Sequence, residues 1–464
     1  MFRTPFPTTV KLGLLRLKNT TPQLQDVVIV GGGPAGLSVL AALKNSSKTA
    51  HLSCKLVEGG DLNKIRNFDE TAYSNRIISL TNKSMRFMQK IGSWKHLNLD
   101  RMQFYDKVAA YDSSSHEALI EFTNDAINYD PMGAMCEVVN IQKSLIARID
   151  ELDQSDCLVD NVKVEAIEES TSEIDWPIVK LSNGDAYQTR LLIGADGYNS
   201  PVRRYAGIES RGWAYDSFGT VGVLKLASDQ YNLVSLQRFL SSGPLAILPL
   251  PEDDATFVWS AKTEVASILK SITNDKIFVA LINAALRLEE TDLKYALNKL
   301  QVNPDDTSVI EDLQWRIELF EPNEQLDIPV VIGVQPGSRA SFPLKMSHAD
   351  SYVGPRVALI GDAAHTIHPL AGQGLNMGQA DVASLVAAIE TGIDRGLDIG
   401  STLVLEPYFA QCFPYNHALL GVCDKLHKIF SNDVYPIILV RSFGMRFMNS
   451  LTPIKDFMIK TLSV

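Results

Sequence analysis

A glycine-rich turn near the N-terminus constrains the fold of this chain more than any other feature. Residues 26–46 are DVVIVGGGPAGLSVLAALKNS. The apolar run Val27–Val30 predicts a buried strand, and the residues from Pro34 to about Lys44 predict a helix. From the end of the strand into the first turn of the helix, Gly31, Gly33 and Gly36 have the spacing G-x-G-x-x-G. The chain is therefore expected to begin an α/β fold built on a parallel sheet.

The residues of this turn are suited to hold a dinucleotide. The first glycine permits a tight reversal, the second lets the backbone approach a pyrophosphate, and the third lets helix and strand pack closely. The start of the helix carries a partial positive charge that favours phosphate. The predicted contact residues are Gly31, Gly33, Pro34, Ala35 and Gly36.

An acidic residue supports the dinucleotide interpretation. Glu58 closes a second apolar strand, LSCKLVE, at the place where a carboxylate can accept both hydroxyls of an adenosine ribose. A carboxylate there also repels a 2′-phosphate, so NADP is not expected at this first site. FAD and NAD share the pattern, and the turn alone does not decide between them.

Composition excludes several other classes of function. The chain has 464 residues, enough for two or three domains, and a net charge of −11, which argues against nucleic acid as a partner. The cysteines are scattered, without a C-x-x-C pair, so neither a disulfide framework nor a zinc site is expected, and a reducing compartment is favoured. They are Cys54, Cys136, Cys157, Cys412 and Cys423.

Residues 1–25 differ from the rest of the chain. They carry two lysines and two arginines, several threonines and no acidic residue, which is typical of a mitochondrial presequence. No stretch of the sequence approaches the roughly 20 uninterrupted apolar residues of a membrane-spanning helix.

A second glycine cluster lies far downstream, in residues 361–378, GDAAHTIHPLAGQGLNMG. It follows a predicted strand, Val357–Ile360, and leads into a helix with a packable apolar face. Its two histidines have no partners for a metal site, and a G-x-S-x-G elbow is absent from the sequence. A glycine-rich helix start can instead stabilise the negative charge of a reduced flavin, while Asp362 can accept hydrogen bonds from sugar-chain hydroxyls.

Three motifs together carry a family resemblance. The first glycine turn, the block LLIGADGYNSPVRRYAGI at 191–208 and Gly361-Asp362 resemble the three-part signature of class A flavin-dependent aromatic hydroxylases, the p-hydroxybenzoate hydroxylase-like flavoproteins. Segments 75–94, 237–250 and 361–381 further resemble the ubiquinone-biosynthesis hydroxylases, and the presequence suggests their mitochondrial branch. The resemblance implies an α/β, Rossmann-like FAD-binding fold with an inserted β-rich substrate domain and a helical C-terminal tail.

The resemblance also implies a cofactor, a reaction and partners. The cofactor would be FAD, whose C4a-hydroperoxide hydroxylates the ring of a polyprenylated 4-hydroxybenzoate-type phenol, at C5, on the way to ubiquinone. Electrons would come from a ferredoxin and its reductase, or alternatively from NAD(P)H. The protein would belong to a coenzyme Q biosynthetic complex and lie peripherally on the matrix side of the mitochondrial inner membrane. The cofactor contacts implied beyond the first turn are Glu58, Arg76, Gln142, Asp196, Gly361, Asp362, Pro369, Gly372, Gly374, Leu375 and Asn376.

The expected organisation is discontinuous. After the presequence, residues 26–105, 138–208 and 352–395 are assigned to the FAD-binding domain, 106–137 and 209–351 to the substrate-domain sheet, and 396–464 to C-terminal helices. Within the substrate domain, residues 264–304 are expected to be helical and polar, and 292–308 to form a flexible surface excursion.

Several alternatives stay open at this point. No catalytic residue or metal ligand is assigned; His365, His368 and Tyr215 are candidate proton handlers, with hydrogen-bonded loop or core residues as the other interpretation. The apolar, basic C-terminal tail is either a membrane or partner surface or ordinary helical packing, and packing is favoured. A flavin dehydrogenase or oxidase on the same fold is one rival function. A prenyl-binding escort similar to the GDP-dissociation inhibitors is another.

Overall fold

A computed structural model describes residues 21–113, 115–128, 130–170, 175–227, 234–320, 327–369, 372–431 and 435–463. The strands are β1 Gln23–Val30, β2 Cys54–Val57, β3 Ile77–Leu80, β4 Gln103–Tyr105, β5 Lys107–Asp112, β6 Ser115–Thr123, β7 Gly133–Glu137, β8 Leu158–Val159, β9 Val164–Glu168, β10 Ile178–Leu181, β11 Ala186–Gly194, β12 Ser210–Leu226, β13 Val234–Phe239, β14 Leu245–Pro249, β15 Asp254–Lys262, β16 Val331–Val334, β17 Ala340–Ala349, β18 Val353–Gly354, β19 Val357–Leu359 and β20 His365–Thr366.

The helices follow the same chain order. They are α1 Pro34–Asn45, α2 Leu62–Arg66, α3 Asn82–Lys90, α4 Val138–Glu151, α5 Pro201–Tyr205, α6 Thr263–Ser271, α7 Asp275–Arg287, α8 Glu290–Val302, α9 Ser308–Glu318, α10 Gly374–Asp394, α11 Thr402–Phe430, α12 Tyr435–Ser450 and α13 Thr452–Ser463. Short 3-10 turns occur at Trp94–His96, Leu99–Arg101, Asn124–Ile127, Ser155–Cys157 and Gly361–Ala363.

The first sheet places the sequence motifs at one edge. Its strand order is β18-β19-β11-β1-β2-β8, with β10 and β9 continuing from β11, and the neighbours from β19 to β8 are parallel. The chain runs outward from β1 through β2 to β8 and then returns to the other side of β1. The order therefore reverses between β1 and β11, where ligands bind at the carboxyl ends of open α/β sheets.

The first strand begins earlier than the sequence predicted. Gln23, Leu24 and Gln25 pair with Tyr187, Gln188 and Thr189 of β11, so β1 starts four residues before Val27. These residues are half-buried or exposed, so the apolar pattern that marked Val27–Val30 did not reveal them. The presequence predicted over 1–25 falls, in residues 1–20, outside the described chain.

The second sheet is an antiparallel layer with one parallel pair, ordered β20-β17-β12-β15-β14-β13-β5-β6, with β16 beside β12. One face is covered by α6 to α9, whose apolar residues form a single buried cluster with the sheet. The prediction of helices over 264–304 is confirmed, but the description of them as polar is wrong. Ile277, Phe278 and Leu281 of α7 are fully buried.

The flexible excursion predicted over 292–308 is also wrong. Most of this segment is α8, and Leu293, Leu297 and Leu300 lie in the buried cluster, with Leu313 of the following α9 beside them. The polar residues that suggested a mobile loop lie on the outer face of these helices. The helices thus form a layer packed against the second sheet.

A small third sheet joins the two large ones. In it β7 lies between β3 and β4, and both neighbours are antiparallel to it. Its residues Ile77 and Met135 pack with Val223 of β12 and Leu248 of β14 in one apolar cluster. Strand β7 was assigned by the sequence to the substrate sheet, and it pairs instead with strands of the flavin-domain segment.

The C-terminal helices lie against both layers. Tyr408 of α11 is fully buried and donates to the carbonyl of Leu359 at the end of β19 (2.6 Å). In α12, Arg441 forms a buried ion pair with Asp112 of β5 (2.8 Å). Within the part of the chain that the structure describes, each helix is too short or too polar to cross a membrane.

Candidate active site

The first glycine turn is shaped by close contact with its surroundings. Gly31 has a φ of +111°, and a Cβ on it would lie 2.2 Å from the carbonyl oxygen of Ala195, which follows β11. A Cβ on Gly36 would lie 1.9 Å from the carbonyl oxygen of Gly31. Gly33 is different, because nothing lies within 4 Å of the corresponding position. Two glycines therefore permit packing of the protein on itself, and Gly33 borders open space.

The first turn of α1 touches the third motif. Pro34 is the first residue of α1, as predicted. A Cβ on Gly361 would lie 3.5 Å from the methyl group of Ala35, and a Cβ on Gly378 of α10 would lie 3.5 Å from Gly361 Cα. The glycine turn thus contacts the Gly-Asp pair, which in turn contacts α10. Both lie more than three hundred residues later in the sequence than the glycine turn.

Glu58 lies at the carboxyl end of β2 and helps to fix the turn. Its carboxylate accepts the amide N–H of Gly32 (2.5 Å) and that of Gly60 (2.6 Å). Each carboxylate oxygen has a further lone pair, so the group can still accept a hydroxyl. Gln142 of α4 donates to the carbonyl of Gly32 (3.1 Å), which places it beside the same turn.

The middle motif contributes a buried carboxylate. Asp196 follows β11, and its Oδ2 accepts the amide N–H of Val202 at the start of α5 (3.1 Å). Its Oδ1 is buried and has no hydrogen-bond partner among the described residues. Burial raises the pKa of this carboxyl above its ordinary value. A buried acceptor without a partner is costly, and a ligand donor would remove that cost.

Arg203 links the middle and third motifs, and the sequence reasoning did not include it among the site residues. Its guanidinium donates to the carbonyl of Ala363 (2.6 Å) and to that of Tyr198 (2.6 Å). It therefore holds the turn after Gly361-Asp362 in place. Its position in the D-G-x-x-S-x-V-R pattern was the available signal, but the pattern does not say which carbonyl it reaches.

Two charged groups face the open part of the site. Asp362 is accessible yet lies in a concave region, and the resulting loss of hydration raises the pKa of its carboxyl, opposed by the charges of His365 and Arg76. Arg76 immediately precedes β3 and is exposed. Among the described residues, neither its guanidinium nor the Asp362 carboxylate takes part in a hydrogen bond. Both are therefore available to a ligand.

The loop before α10 is held by Asn376. The side chain of Asn376 accepts from Thr81 N (3.0 Å) and Ser84 Oγ (2.7 Å), and it donates to the carbonyls of Ser79 (2.7 Å) and Gly372 (3.2 Å). The predicted flavin contact could thus come only from its backbone amide. The Asn376 side chain instead holds the start of α10 against β3 and the start of α3. The glycine spacing in the sequence does not indicate this role.

The remaining predicted loop residues lie at the same helix start. Gly372 adopts a φ of +58° and donates its amide to the carbonyl of Pro369 (3.0 Å). Gly374 and Leu375 form the first turn of α10, where amide N–H groups have no partner within the helix. An anionic edge of a ligand would be stabilised there.

The candidate proton handlers fall into two clusters. His365 is buried and its Nε2 lies 2.5 Å from the carboxylate of Asp381 in α10. Tyr215 and His368 lie in the second cluster, with ring centroids 5.0 Å apart, and His427 of α11 contacts both rings. Burial lowers the pKa of His368 to about 3, so this imidazole is neutral at physiological pH.

A bulge in β12 directs Tyr215 toward His368 and α11. Ala214 pairs with Lys345 and Phe218 with Pro343, so residues 215–217 bulge out of β12. The hydroxyl of Tyr215 then donates to Asp424 of α11 (3.1 Å). Bulges of this kind re-aim side chains next to active sites.

The face of the second sheet opposite α6 to α9 carries a patch of small and apolar residues, bordered by the polar residues Ser260 of β15 and Gln237 of β13. Register places Gly219 and Val221 of β12 on one face with Val258 of β15, Ala246 of β14 and Phe342 of β17. Two residues further along β12, Val223 lies on the same face and contacts the third sheet. This face therefore points toward the flavin-domain side, and it can accommodate a flat apolar ring.

The residues present fit FAD. Open space borders Gly33 at the start of α1, a buried carboxylate oxygen of Asp196 has no described partner, and Arg76 and Asp362 are available at the groove. A dinucleotide would place its pyrophosphate at the helix start and its ribose at Glu58. The flavin would then lie between the start of α10 and the apolar face of the second sheet.

Comparison with known proteins agrees with this geometry. The family model described as FAD binding domain matches residues 25–396. The mitochondrial ubiquinone biosynthesis monooxygenase COQ6 of Saccharomyces cerevisiae is 44% identical, with 97% of this chain and 96% of the relative covered. COQ6 of Schizosaccharomyces pombe is 38% identical (94% and 91% covered), and COQ6 of Homo sapiens is 35% identical (94% and 92% covered).

Solved structures share the fold at much lower identity. PqsL of Pseudomonas aeruginosa, a probable FAD-dependent monooxygenase, has a TM-score of 0.66 at 19% identity, with 91% of this chain and 99% of that chain covered. HpxO of Klebsiella pneumoniae, solved with FAD and uric acid, has a TM-score of 0.65 at 16% identity (94% and 96% covered). These structures confirm the predicted fold class. From the family match and the full-length relatives, the chain belongs to the FAD-dependent monooxygenase family that contains the COQ6 ubiquinone biosynthesis enzymes.

Proposed function

We propose that the protein binds FAD across the carboxyl edge of the first sheet and hydroxylates, at C5, the ring of a polyprenylated 4-hydroxybenzoate-type phenol in ubiquinone synthesis. The observation that carries this proposal is the convergence of the three motifs at one groove, opposite an apolar sheet face. Reduced FAD supplies the activation of O2, which no side chain can provide. The chain supplies binding, orientation and exclusion of water.

The residues named for the cofactor would act at different parts of it. The turn from Gly31 to Gly36, with Pro34 and Ala35, would hold the pyrophosphate. Asp196 would lie near it, where its Oδ1 could accept a hydroxyl of the cofactor. Glu58 would accept the ribose hydroxyls, and Gln142 supports the turn. Asp362 would accept hydroxyls of the ribityl chain, and the start of α10 would stabilise negative charge on the reduced ring. The residues proposed around the ring are Arg76, Gly361, Pro369, Gly372, Gly374, Leu375 and Asn376.

The substrate ring would lie against the small and apolar residues of the second sheet. Val221, Val258 and Ala246 offer no polar group, and the ring of Phe342 lies over Gly219, where an added Cβ would be 2.9 Å from it. Water excluded from this chamber cannot divert the reactive oxygen to hydrogen peroxide. This layout favours a monooxygenase over a dehydrogenase or oxidase, whose substrate needs no such protection.

The test of this function is a labelled turnover. The purified protein is expected to be yellow with bound FAD. Given reductant, a 4-hydroxybenzoate carrying a prenyl chain, and dioxygen labelled with heavy oxygen, it should form a product with one labelled oxygen atom, measured by mass spectrometry. An oxidised product without label would support the dehydrogenase or oxidase. A colourless protein that binds the prenyl chain would support the escort.

The electron donor is the next part of the proposal. We infer a ferredoxin with its reductase, supported by the resemblance to the mitochondrial branch. Rapid oxidation of NAD(P)H by the purified protein without ferredoxin would favour the alternative donor. Co-purification with other enzymes of the pathway would test the proposed biosynthetic complex.

We also propose that the protein lies peripherally on the matrix side of the mitochondrial inner membrane, through its C-terminal helices. The sequence favoured ordinary packing of the C-terminal helices against the rest of the protein. This packing accounts for only one face of α11. Of the twenty large apolar residues that are exposed among those described, nine lie on α11 to α13. Residues 402–463 also contain six lysines and arginines against four acidic residues, in a chain whose net charge is −11, and five of the six lie outside the buried ion pair of Arg441 with Asp112. Exposed apolar residues combined with positive charge suit an anionic lipid surface.

Removing apolar side chains from this surface should weaken membrane binding. Phe443 and Phe447 of α12 are stacked and are 70% and 55% exposed. The double substitution Phe443→Asp, Phe447→Asp is expected to lower binding to vesicles containing anionic lipid by about tenfold or more, measured by co-sedimentation. The matched control, Val302→Asp with Leu319→Asp, alters two exposed residues, at the end of α8 and just after α9, and should bind like the wild type. Equal binding by both variants would contradict the proposal.

A further inference from the structure

A strip of accessible residues crosses the second sheet on its flavin-domain face. Strand register places Val221 of β12, Val258 of β15, Ala246 of β14 and Gln237 of β13 side by side in one row, and these four residues are called the strip. Val258, Ala246 and Gln237 are half-buried, whereas the residues before and after each of them in its strand are buried. The strip is therefore open, and Gln237 is its one polar member.

The neighbours of Gln237 fix the direction of its side chain. Leu236 is buried in the cluster formed with α6 to α9. Arg238 is also buried, and it donates to the carbonyls of Ala285 (3.0 Å) and Leu288 (2.7 Å) at the end of α7. Because successive side chains of a strand point to opposite faces, these contacts hold Gln237 on the flavin-domain face.

The side-chain amide of Gln237 takes part in no hydrogen bond with the residues that the structure describes. The serines and the threonine on this face of β13 to β15 are buried, and the threonine already donates to the carbonyl of Gly222 (3.0 Å). They are Ser235, Thr256 and Ser260. Gln237 thus offers an accessible acceptor and donor beside apolar residues. A ligand that removes water from this amide loses affinity unless it supplies a polar partner.

A chain of contacts connects the strip to the loop before α10. Val223 and Leu248, each two residues along its strand from a member of the strip, pack with Tyr105 of β4. The hydroxyl of Tyr105 lies 2.6 Å from Ser79 Oγ, and a Cβ on Gly372 would lie 3.8 Å from the Cβ of Ser79. A flat ring held over the strip would therefore lie beside the loop proposed to bind the flavin.

The strip is closed just beyond Gln237. Phe239 follows Gln237 on the same face of β13, and its ring stacks on that of Phe430 at the end of α11, with the centroids 3.8 Å apart. Ala110 of β5, which lies beside Gln237 in register, packs in the same cluster. A ring that fills the strip would therefore have one edge at the amide of Gln237.

We propose that the side-chain amide of Gln237 binds the phenol hydroxyl of the substrate. The inference rests on the proposed hydroxylation of a prenylated phenol, and it names the residue that recognises the hydroxyl group. The amide oxygen can accept the phenol O–H, and the amide nitrogen can donate to the phenol oxygen, so either orientation of the amide gives both groups a partner. Holding the hydroxyl at this edge fixes which ring carbons face the loop before α10.

The experiment compares two ligands in the FAD-loaded protein, 4-hydroxybenzoate and benzoate carrying the same prenyl chain, and follows binding by the change in flavin absorbance. Gln237→Leu is expected to lower the ratio of the affinity for the hydroxybenzoate to that for the benzoate by about tenfold, the effect of one hydrogen bond. FAD content and benzoate binding should stay at their wild-type values, because the amide supports nothing else among the described residues. Gln89→Leu, the same change at an exposed glutamine of α3, should leave the ratio unchanged.

The wild-type protein provides a second test that does not depend on the folding of a variant. It should bind the hydroxybenzoate more tightly than the benzoate, since a strip without a polar partner would favour the ring that lacks a hydroxyl. Equal or tighter binding of the benzoate, or a wild-type affinity ratio in folded Gln237→Leu, would overturn this inference alone. Failure of the FAD-loaded wild-type protein to bind either ring would overturn the proposed function, and this inference with it.

Discussion

The substitution Gly33→Ala is expected to leave the protein folded and to abolish most of its FAD binding. Gly33 has φ −69° and ψ 175°, an extended conformation that alanine adopts without strain. Apart from the two chain neighbours, no atom of the described residues lies within 4 Å of the added methyl group. In the proposed complex that space holds the pyrophosphate, so the methyl group would displace it from the start of α1. We expect affinity to fall by about a hundredfold, or about 3 kcal/mol.

Two other glycine substitutions serve as controls for Gly33→Ala. Gly36→Ala would place a methyl group 1.9 Å from the carbonyl oxygen of Gly31, and it should lose both stability and FAD. Gly421→Ala in α11 meets no neighbouring atom and should change neither. Thermal unfolding of the apoproteins and FAD titration would separate the three cases. Wild-type affinity in folded Gly33→Ala would place the dinucleotide elsewhere.

The elements around this turn could be predicted because their signals are local. The run Val27–Val30 is buried on both faces of the sheet, and such strands are continuous apolar runs in the sequence. The helix predicted from Pro34 and the one predicted over 372–392, which runs from Gly374 to Asp394, were confirmed, since glycine and proline mark their starts and apolar spacing marks their buried faces. The resemblance then supplied what the local pattern left open, the choice of FAD over NAD.

The residues that support the site could not be predicted in the same way, because their partners are distant in sequence. Asp381 appeared in the sequence as one polar residue on a helix, yet it holds Gly361, His365 and Asn416 together. Burial of a charged group depends on which elements pack around it, and no local pattern encodes that. The helices predicted over 264–304 were described as polar for a similar reason, since their buried face is visible only against the second sheet.

The substitution Arg76→Ala is expected to lower FAD affinity strongly without unfolding the protein. The Arg76 side chain is exposed and takes part in no hydrogen bond or ion pair with the described residues, so its removal leaves no buried group unpaired. Its charge acts on Asp362 across the groove. In the proposed complex the guanidinium binds the flavin directly. A hydrogen bond to a charged group contributes about 2 kcal/mol, so affinity should fall by about thirtyfold.

The measurement compares FAD affinity and hydroxylation in Arg76→Ala, Arg76→Lys and Arg86→Ala. Lysine keeps the charge but not the planar fork of donors, so Arg76→Lys should lie between alanine and wild type. Arg86 is an exposed arginine on α3, and its replacement should leave both quantities unchanged, which controls for the loss of one positive charge. Thermal unfolding should be the same in all the apoproteins, because the side chain supports nothing else in the fold. Wild-type FAD content together with wild-type turnover in Arg76→Ala would remove this residue from the site and leave the start of α10 as the main source of positive potential at the flavin.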